Sequence, residues 1–386
     1  MKNKFISLFI ILSILFLVNI TYANDLNIHF IDVGQGDAIL AELPNQETML
    51  IDAGNNDSGS TVARYLHTLK IDHIDYLLGT HPHADHIGGL DYIIQNFRIE
   101  QIFMPDVSHT TQTFRDVLEA VKNKNKKITS AKAGLNILNE YNLNISLLNP
   151  LYSTYDNLNS YSLVTKIEYK NTSFIFTGDI EKKAEYDLIN SNTALKADLL
   201  QIPHHGSSSS ASNLFLRTVN PKYGVISVGS DNPFGHPSSR IIKRLSYHGI
   251  DIYRTDKQGT ITATSNGEEI SFNTHALATS KEDKTTSHQK VKISYLSLSD
   301  EVVEITNTSE QDINLSDWQL VSVQGNQTFT FPTGTVLAPG GSLKILSGPG
   351  QEAGYNEIIW TGRYIWNNNG DKAKLYNQQQ ELISSY

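Results

Sequence analysis

Between Asn24 and about His275, short apolar runs alternate with longer segments whose apolar residues recur every three or four positions. LNIHFIDV, AILAEL, IDYLLGT, SFIFTGD and YGVISVG predict strands, while TVARYLHTLK, FRDVLEAVKN and RIIKRLSYHG predict amphipathic helices. Alternation of this kind builds an α/β layered domain, placed at residues 24–275. A polar stretch without periodicity, within ALATSKEDKTTSHQK, reads as a linker at 276–289. From 290 to 386 the pattern changes to short strands such as EVVEITN, WQLVSV, TFTFP and SLKILSG, separated by Gly, Pro and Asn turns. That is the pattern of a small all-β sandwich, and Trp318, Trp360 and Trp366, the chain's three tryptophans, all fall in it. Trp318 is expected in its core. Neither half shows a fixed-period repeat.

The N-terminus follows another logic. Lys2 and Lys4 precede a 14-residue apolar run from Phe5 to Val18, and NITYA then ends on a small residue at Ala23. The run is shorter than the roughly 20 residues that span a bilayer, so residues 1–23 read as a signal peptide and the chain as secreted or envelope-associated. The absence of cysteine excludes disulfides, thiolate nucleophiles, Cys-bearing zinc sites and a lipoprotein anchor.

Length and charge narrow the function classes. At 386 residues the chain is long enough for two domains with cores of their own. With 31 Lys+Arg against 40 Asp+Glu, the net charge is −9, and removal of Lys2 and Lys4 takes it to −11. Bulk electrostatic coating of nucleic acid is therefore excluded, and any polyanion must be held locally. The one dense basic run, KNKNKK at 122–127, reads as the solvated end of a surface helix.

The chemistry concentrates in HPHADHIGG at 81–89, which the strand IDYLLGT delivers onto a loop. Imidazole nitrogen with anionic carboxylate oxygen is the donor pairing that first-row divalent metals favour. His81 and His83 alternate along an extended loop while Asp85 and His86 turn the other way, so the segment can feed two metals. Gly88 and Gly89 let the chain enter the next helix close by. Two later strands end in suitable donors: Asp179 in FIFTGD, where a carboxylate can bridge two metals, and His204 and His205 in QIPHHGSSSS. Adjacent side chains diverge, so one of the two histidines is expected as a ligand; the assignment taken is His205 to metal and His204 to catalysis. His236 in NPFGHPSS is a candidate hydrogen-bonding group near the reacting oxygen.

HPHADHIGG, FTGD and PHHGS, in that order, resemble the metallo-β-lactamase fold, whose hydrolases bind one or two metals at the edge of an αββα sandwich. The resemblance makes His81, His83, Asp85, His86, Asp179 and a histidine of the HHGS pair metal ligands, and it makes Asp52 of IDAG a support that orients a ligand. More narrowly, FIDVGQGDAIL, NSYSLVTKIEY, PHHGS and NPFGHPSS resemble the soluble domain of ComEC-type DNA-uptake proteins. Gln35 and Asp37 of GQGD, and Asn159 and Ser162 of NSYS, become candidates for supporting ligands or positioning substrate. The GQGD loop could instead suggest a dinucleotide fingerprint, but Gly34 and Gly36 lack a third glycine and no suitable helix follows. Many members of the fold carry one more histidine before the Asp strand, where this chain offers only His109, read as a polar loop residue. Residues 290–386 resemble a lamin-tail domain, an immunoglobulin-like sandwich.

These readings imply a secreted hydrolase, with a phosphodiester of DNA as the expected substrate and one or two divalent ions, Zn2+ or Mn2+, as cofactor. The metal would generate hydroxide at neutral pH. Asp85 could also accept a proton, and His236 or His204 would serve the leaving oxygen. Ser207 to Ser210 read as a flexible serine loop rather than a phosphate cradle. The alternatives are a hydrolase of a small ester, lactone or cyclic nucleotide, and a metal-free envelope binding protein. The C-terminal domain is expected to contact DNA, the envelope or another protein, with no basic-aromatic surface to choose among them. The chain carries no transmembrane channel that would let it move DNA itself.

Overall fold

The computed structural model describes residues 24–140, 142–191, 193–277, 291–378 and 380–386. The expected signal peptide, 1–23, and residues 278–289 of the expected linker lie outside the described residues. Six strands come first: β1 (Leu26–Phe30), β2 (Ile39–Glu42), β3 (Thr48–Ile51), β4 (His73–Leu78), β5 (Arg98–Pro105) and β6 (Ile128–Ala131). Seven follow: β7 (Asn136–Glu140), β8 (Leu143–Asn149), β9 (Val164–Tyr169), β10 (Thr172–Phe176), β11 (Leu199–Gln201), β12 (Tyr223–Ile226) and β13 (Asp251–Arg254). Then β14 (Ile261–Ser265) and β15 (Ile270–Phe272) return to pair beside β1. The result is an eight-stranded sheet, β15-β14-β1-β2-β3-β4-β5-β6, facing a seven-stranded sheet, β13-β12-β11-β10-β9-β8-β7.

Three apolar layers hold these sheets. Ile28 and Phe30 of the first sheet meet Ile145, Ile167, Phe174 and Phe176 of the second, all fully buried. Period-two alternation on β10 sends Phe174 and Phe176 inward and Ile175 to the opposite face. There Ile175 packs under helices Lys182–Asn190, Asn213–Val219 and Ser239–Tyr247 through Leu188, Phe215 and Leu245. On the outer face of the first sheet, Leu50 and Leu77 pack under helices Gly59–Thr68, Leu90–Asn96 and Gln112–Asn123 through Leu66, Ile93 and Val117. Each such side chain contributes about 1.5–3 kcal/mol when fully buried, so the αββα sandwich needs no metal as its core.

Topology then decides where the polar residues meet. β3, β4, β5 and β6 run parallel, as do β10, β11, β12 and β13. The loops leaving the carboxyl ends of β3, β4, β10, β11 and β12 therefore collect at one edge, the place where open parallel sheets form crevices.

The C-terminal region is all β. One four-stranded sheet contains Val291–Ser297, Val302–Asn307, Ser342–Ser347 and Glu357–Thr361, and another Gln319–Ser322, Thr328–Thr330, Ala373–Tyr376 and Leu382–Ser385. Val303, Trp318, Leu320, Phe331, Ile345 and Trp366 share one core, with Trp318 only 3% exposed. Among the described residues, no helix is long and apolar enough to cross a membrane.

Candidate metal centre

The HPHADH segment is only partly extended. His83 is extended and stands at the N-cap of the short helix Ala84–Ile87, so Asp85 and His86 project from a helical turn rather than from a continuing loop. That change of backbone is what turns them away from His81 and His83. The two glycines that follow are required by contact: a Cβ on Gly88 would stand 2.3 Å from the Asn56 nitrogen, and one on Gly89 2.4 Å from the Ala53 oxygen. The segment thus lies directly against the loop after β3 that carries Asp52.

Two overlapping donor clusters share Asp179, one with His81 and His83 and one with Asp85, His86 and His205. Asp179 Oδ1 lies 3.2 Å from His86 Nε2 and 3.5 Å from His205 Nε2, while Oδ2 lies 3.8 Å from His81 Nε2. His205 Nε2 is also 3.4 Å from Asp85, and His81 Nε2 is 3.0 Å from His83 Nδ1. One carboxylate therefore faces both clusters, each oxygen towards a different one. Glu181, not Asp179, occupies the N-cap position of the following helix, which leaves Asp179 free of any capping duty.

The histidines are oriented from behind. Asp52 is fully buried and accepts from the Thr80 amide at 2.8 Å, the Thr80 hydroxyl at 2.6 Å and His86 Nδ1 at 2.8 Å. His205 Nδ1 donates to the Ser227 carbonyl at 2.9 Å, and His81 Nδ1 meets Thr80 at 3.1 Å and Ser162 at 3.3 Å. Pinning one ring nitrogen fixes the tautomer and leaves the other's lone pair for a ligand's work. Ser162 also accepts from the Asp179 amide at 3.1 Å, so it touches both clusters.

The GQGD loop braces this arrangement. The Asp37 amide donates to the Asp85 carbonyl at 3.1 Å, and Gly36, at φ +133°, has no room for a Cβ, which would stand 2.3 Å from that same oxygen. The Asp37 carboxylate reaches His205 Nδ1 at 3.6 Å and His86 Nδ1 at 3.8 Å. It accepts from Gln201 at 2.6 Å, whose amide oxygen holds the Thr177 and Gly178 amides at 2.6 and 3.0 Å. Gln35 points elsewhere, accepting from the Gly229 amide at 3.3 Å.

His204 and His205 do diverge, but not by strand alternation. Both adopt left-handed backbone, φ 53° and 51°, on the turn after β11. His205 enters the cluster; His204 lies at its rim, Nε2 3.8 Å from Asp179 and Nδ1 3.3 Å from Glu181. His236 stands beyond it, ring centroids 5.7 Å apart, with a buried Nδ1 that has no hydrogen-bond partner among the described residues. Asn159 touches no donor of either cluster and contacts Glu181 at 3.4 Å. His109 bonds Thr111 at 3.0 Å, its ring 6.4 Å from that of His83, and belongs to neither cluster. The serines are tied down: Ser210 donates to the Pro203 carbonyl at 2.8 Å and Ser209 to Glu181 at 3.1 Å. Thr80, Glu181, Gln201 and Ser227 were not singled out by the sequence. Only Gln201 leaves a trace there, a lone amide ending the apolar run DLLQ.

The Metallo-beta-lactamase superfamily profile matches residues 31–230. The chain belongs to the metallo-beta-lactamase superfamily. The Lamin Tail Domain profile matches residues 264–386, beginning inside β14. ComE operon protein 3 of Bacillus subtilis is 30% identical over 251 residues, covering 61% of this chain and 32% of that protein. Competence protein ComA of Neisseria gonorrhoeae is 27% identical over 237 residues, covering 60% of this chain and 31% of that protein. The match thus spans about a third of these relatives' length. Among solved structures, Igni18, a metallo hydrolase of Ignicoccus hospitalis, covers 61% of this chain and 98% of its own at 18% identity and TM-score 0.44.

The superfamily's metal chemistry meets a donor set that fits it. His86 Nε2, His205 Nε2 and Asp179 Oδ1 are buried, converge, and lack a well-aligned hydrogen-bond partner among the described residues, a costly state for polar atoms unless a cation joins them. Without one, protons substitute. Burial opposes a charge on His86, yet Asp179 and Asp52 outweigh it and push the imidazole well above its usual value. Burial likewise opposes a charge on His205, but Asp179 and Asp85 raise it to about 9. His81 goes the other way, held well below its usual value by burial and then by His86. Asp37 is raised to about 6 by burial, against the pull of His205 and His86. Nitrogen and carboxylate donors of this kind hold divalent ions.

Proposed function

We propose that this protein is an exported, metal-dependent phosphodiesterase that cleaves DNA. The observation that carries the reading is the Asp179 carboxylate, whose two oxygens face two donor clusters at 3.2 and 3.8 Å. His81 and His83 with Asp179 would hold one divalent ion, and Asp85, His86 and His205 with the same carboxylate a second, Zn2+ or Mn2+. Such ions would supply Lewis acidity, lowering the pKa of water to roughly 7 and neutralising charge on the phosphate.

The chain's own residues do the rest. Asp85, partly exposed at 25% of its side chain, can take a proton from an attacking water. Glu181 fixes the His204 ring, and His204 with His236 forms the open rim where a leaving oxygen would depart. His236 is kept below its usual value by burial and then by the charges of His204 and His205, so it serves as a neutral hydrogen-bonding group at pH 7. DNA as substrate is supported by the similarity to Competence protein ComA. Export is supported by the N-terminal pattern alone.

The test uses the purified chain with Mn2+ or Zn2+, plasmid and single-stranded DNA, and chromogenic esters for contrast. Wild type should bind metal and cut DNA but not the esters, while His83→Ala and Asp179→Ala lose cutting by at least 100-fold. Cleavage of the esters alone, or undiminished DNA cleavage by both variants, would overturn the proposal.

A further inference from the structure

Phe234 of NPFGHP is 63% exposed, yet it sits in a tightly braced loop. Asn232 holds that loop with its side chain, accepting from the Phe234 and His236 amides at 3.2 and 2.9 Å and donating to the Gly229 and His236 carbonyls at 2.8 and 2.7 Å. Pro237 then packs on the PHHG turn so closely that a Cβ on Gly206 would stand 2.6 Å from it, and the Ser238 amide donates to the Gly206 carbonyl at 3.0 Å. One face of the Phe234 ring stacks on His236, centroids 5.8 Å apart and 27° between planes. From there His236 is 5.7 Å from the His204 ring, and His204 Nε2 is 3.8 Å from Asp179. A rigid, one-sided aromatic surface thus ends a line of rings that starts at the donor clusters.

We infer that Phe234 is a stacking platform for an unpaired nucleobase, so that the substrate of the proposed phosphodiesterase is single-stranded DNA or a frayed end. The inference rests on the phosphodiesterase reading and adds its substrate class. In a duplex, both faces of each base are already stacked, and a fixed ring on a surface loop cannot receive one. The chain's charge argues the same way. A protein with net charge −9 gains little from bulk attraction of a polyanion, and stacking is an attraction that needs no charge. Every base has a π-face, so the platform tolerates any sequence.

Two arms test this on the full chain. In the binding arm, chelator-treated protein is titrated with a single-stranded oligonucleotide carrying 2-aminopurine, whose fluorescence falls on stacking. In the cleavage arm, Mn2+ is added and each position of the oligonucleotide is replaced in turn by an abasic residue. Phe234→Ala should weaken binding and kcat/KM by about 5- to 100-fold, Phe234→Trp should restore both, and the melting temperature should not move. Wild type should lose the same factor at one abasic position, and Phe234→Ala should lose nothing more there. Equal binding by wild type and Phe234→Ala, or additive losses at every position, overturns the inference. If wild type cuts no DNA, the phosphodiesterase reading fails and the binding arm still decides Phe234.

Discussion

Replacing Asp52 by Asn separates the roles of fold and site. The carboxylate is fully buried and accepts three hydrogen bonds, from the Thr80 amide, the Thr80 hydroxyl and His86 Nδ1, at 2.8, 2.6 and 2.8 Å. An asparagine keeps its oxygen for the Thr80 amide but presents an NH2 group to the other two. His86 Nδ1 must then accept rather than donate, which moves the ring proton to Nε2, the atom 3.2 Å from Asp179 that a metal would take. Losing an orienting partner of this kind costs about 10- to 100-fold in metal affinity, or ~1.4–2.7 kcal/mol. The pocket keeps its shape, because the core layers lie on either side of it, so the far-ultraviolet circular dichroism should match wild type. Chelator competition with Zn2+ or Mn2+ reads the affinity directly. Wild-type affinity in Asp52→Asn would refute the claim that Asp52 acts by setting the His86 tautomer.

Further outcomes follow from the same geometry. His205, raised from its ordinary 6.5 to about 9, contributes stability to the metal-free protein that is fully present below pH 6.5 and lost as pH rises through 9. The metal-free melting temperature should therefore fall across that window. Metal affinity should climb across it, with proton release measurable by calorimetry in buffers of different ionisation enthalpy. Gly36→Ala forces a Cβ against the Asp85 carbonyl at positive φ and should cost about 1–3 kcal/mol in denaturant melts while weakening metal binding. Trp318→Ala should cost the C-terminal sandwich about 3–5 kcal/mol in near-ultraviolet melts and leave chelator competition unchanged, since its core shares no residue with the other layers.

What the sequence made legible was whatever repeats with a period or clusters along the chain. Strand and helix patterning yields the αββα layers, because burial of one face leaves a trace at period 2 or 3.6. HPHADH stands out since four donors lie within six residues. The supports were illegible for the opposite reason. Thr80 and Ser162 are 82 positions apart in the sequence, and the Ser227 group that orients His205 is a backbone carbonyl, which no side chain announces. The left-handed turn at His204 and His205 is equally silent, since neither residue is the glycine that such φ values favour. GQGD was visible as a motif, but its use was not: Gly36 serves a backbone approach to Asp85 that exists only after the sheets have folded.

The donors come from both sheets: His81, His83, Asp85 and His86 follow β4, whereas Asp179 and His205 follow β10 and β11. Asp37, Asp85 and Asp179 would repel one another there if nothing positive joined them. In the metal-free protein the raised affinities of His86 and His205 for protons would supply that charge. Metal binding would then be an exchange of ions for protons in a pocket that the apolar layers already hold. The apolar layers carry the fold, so a metal reaching the pocket would displace those protons without being needed to fold the chain.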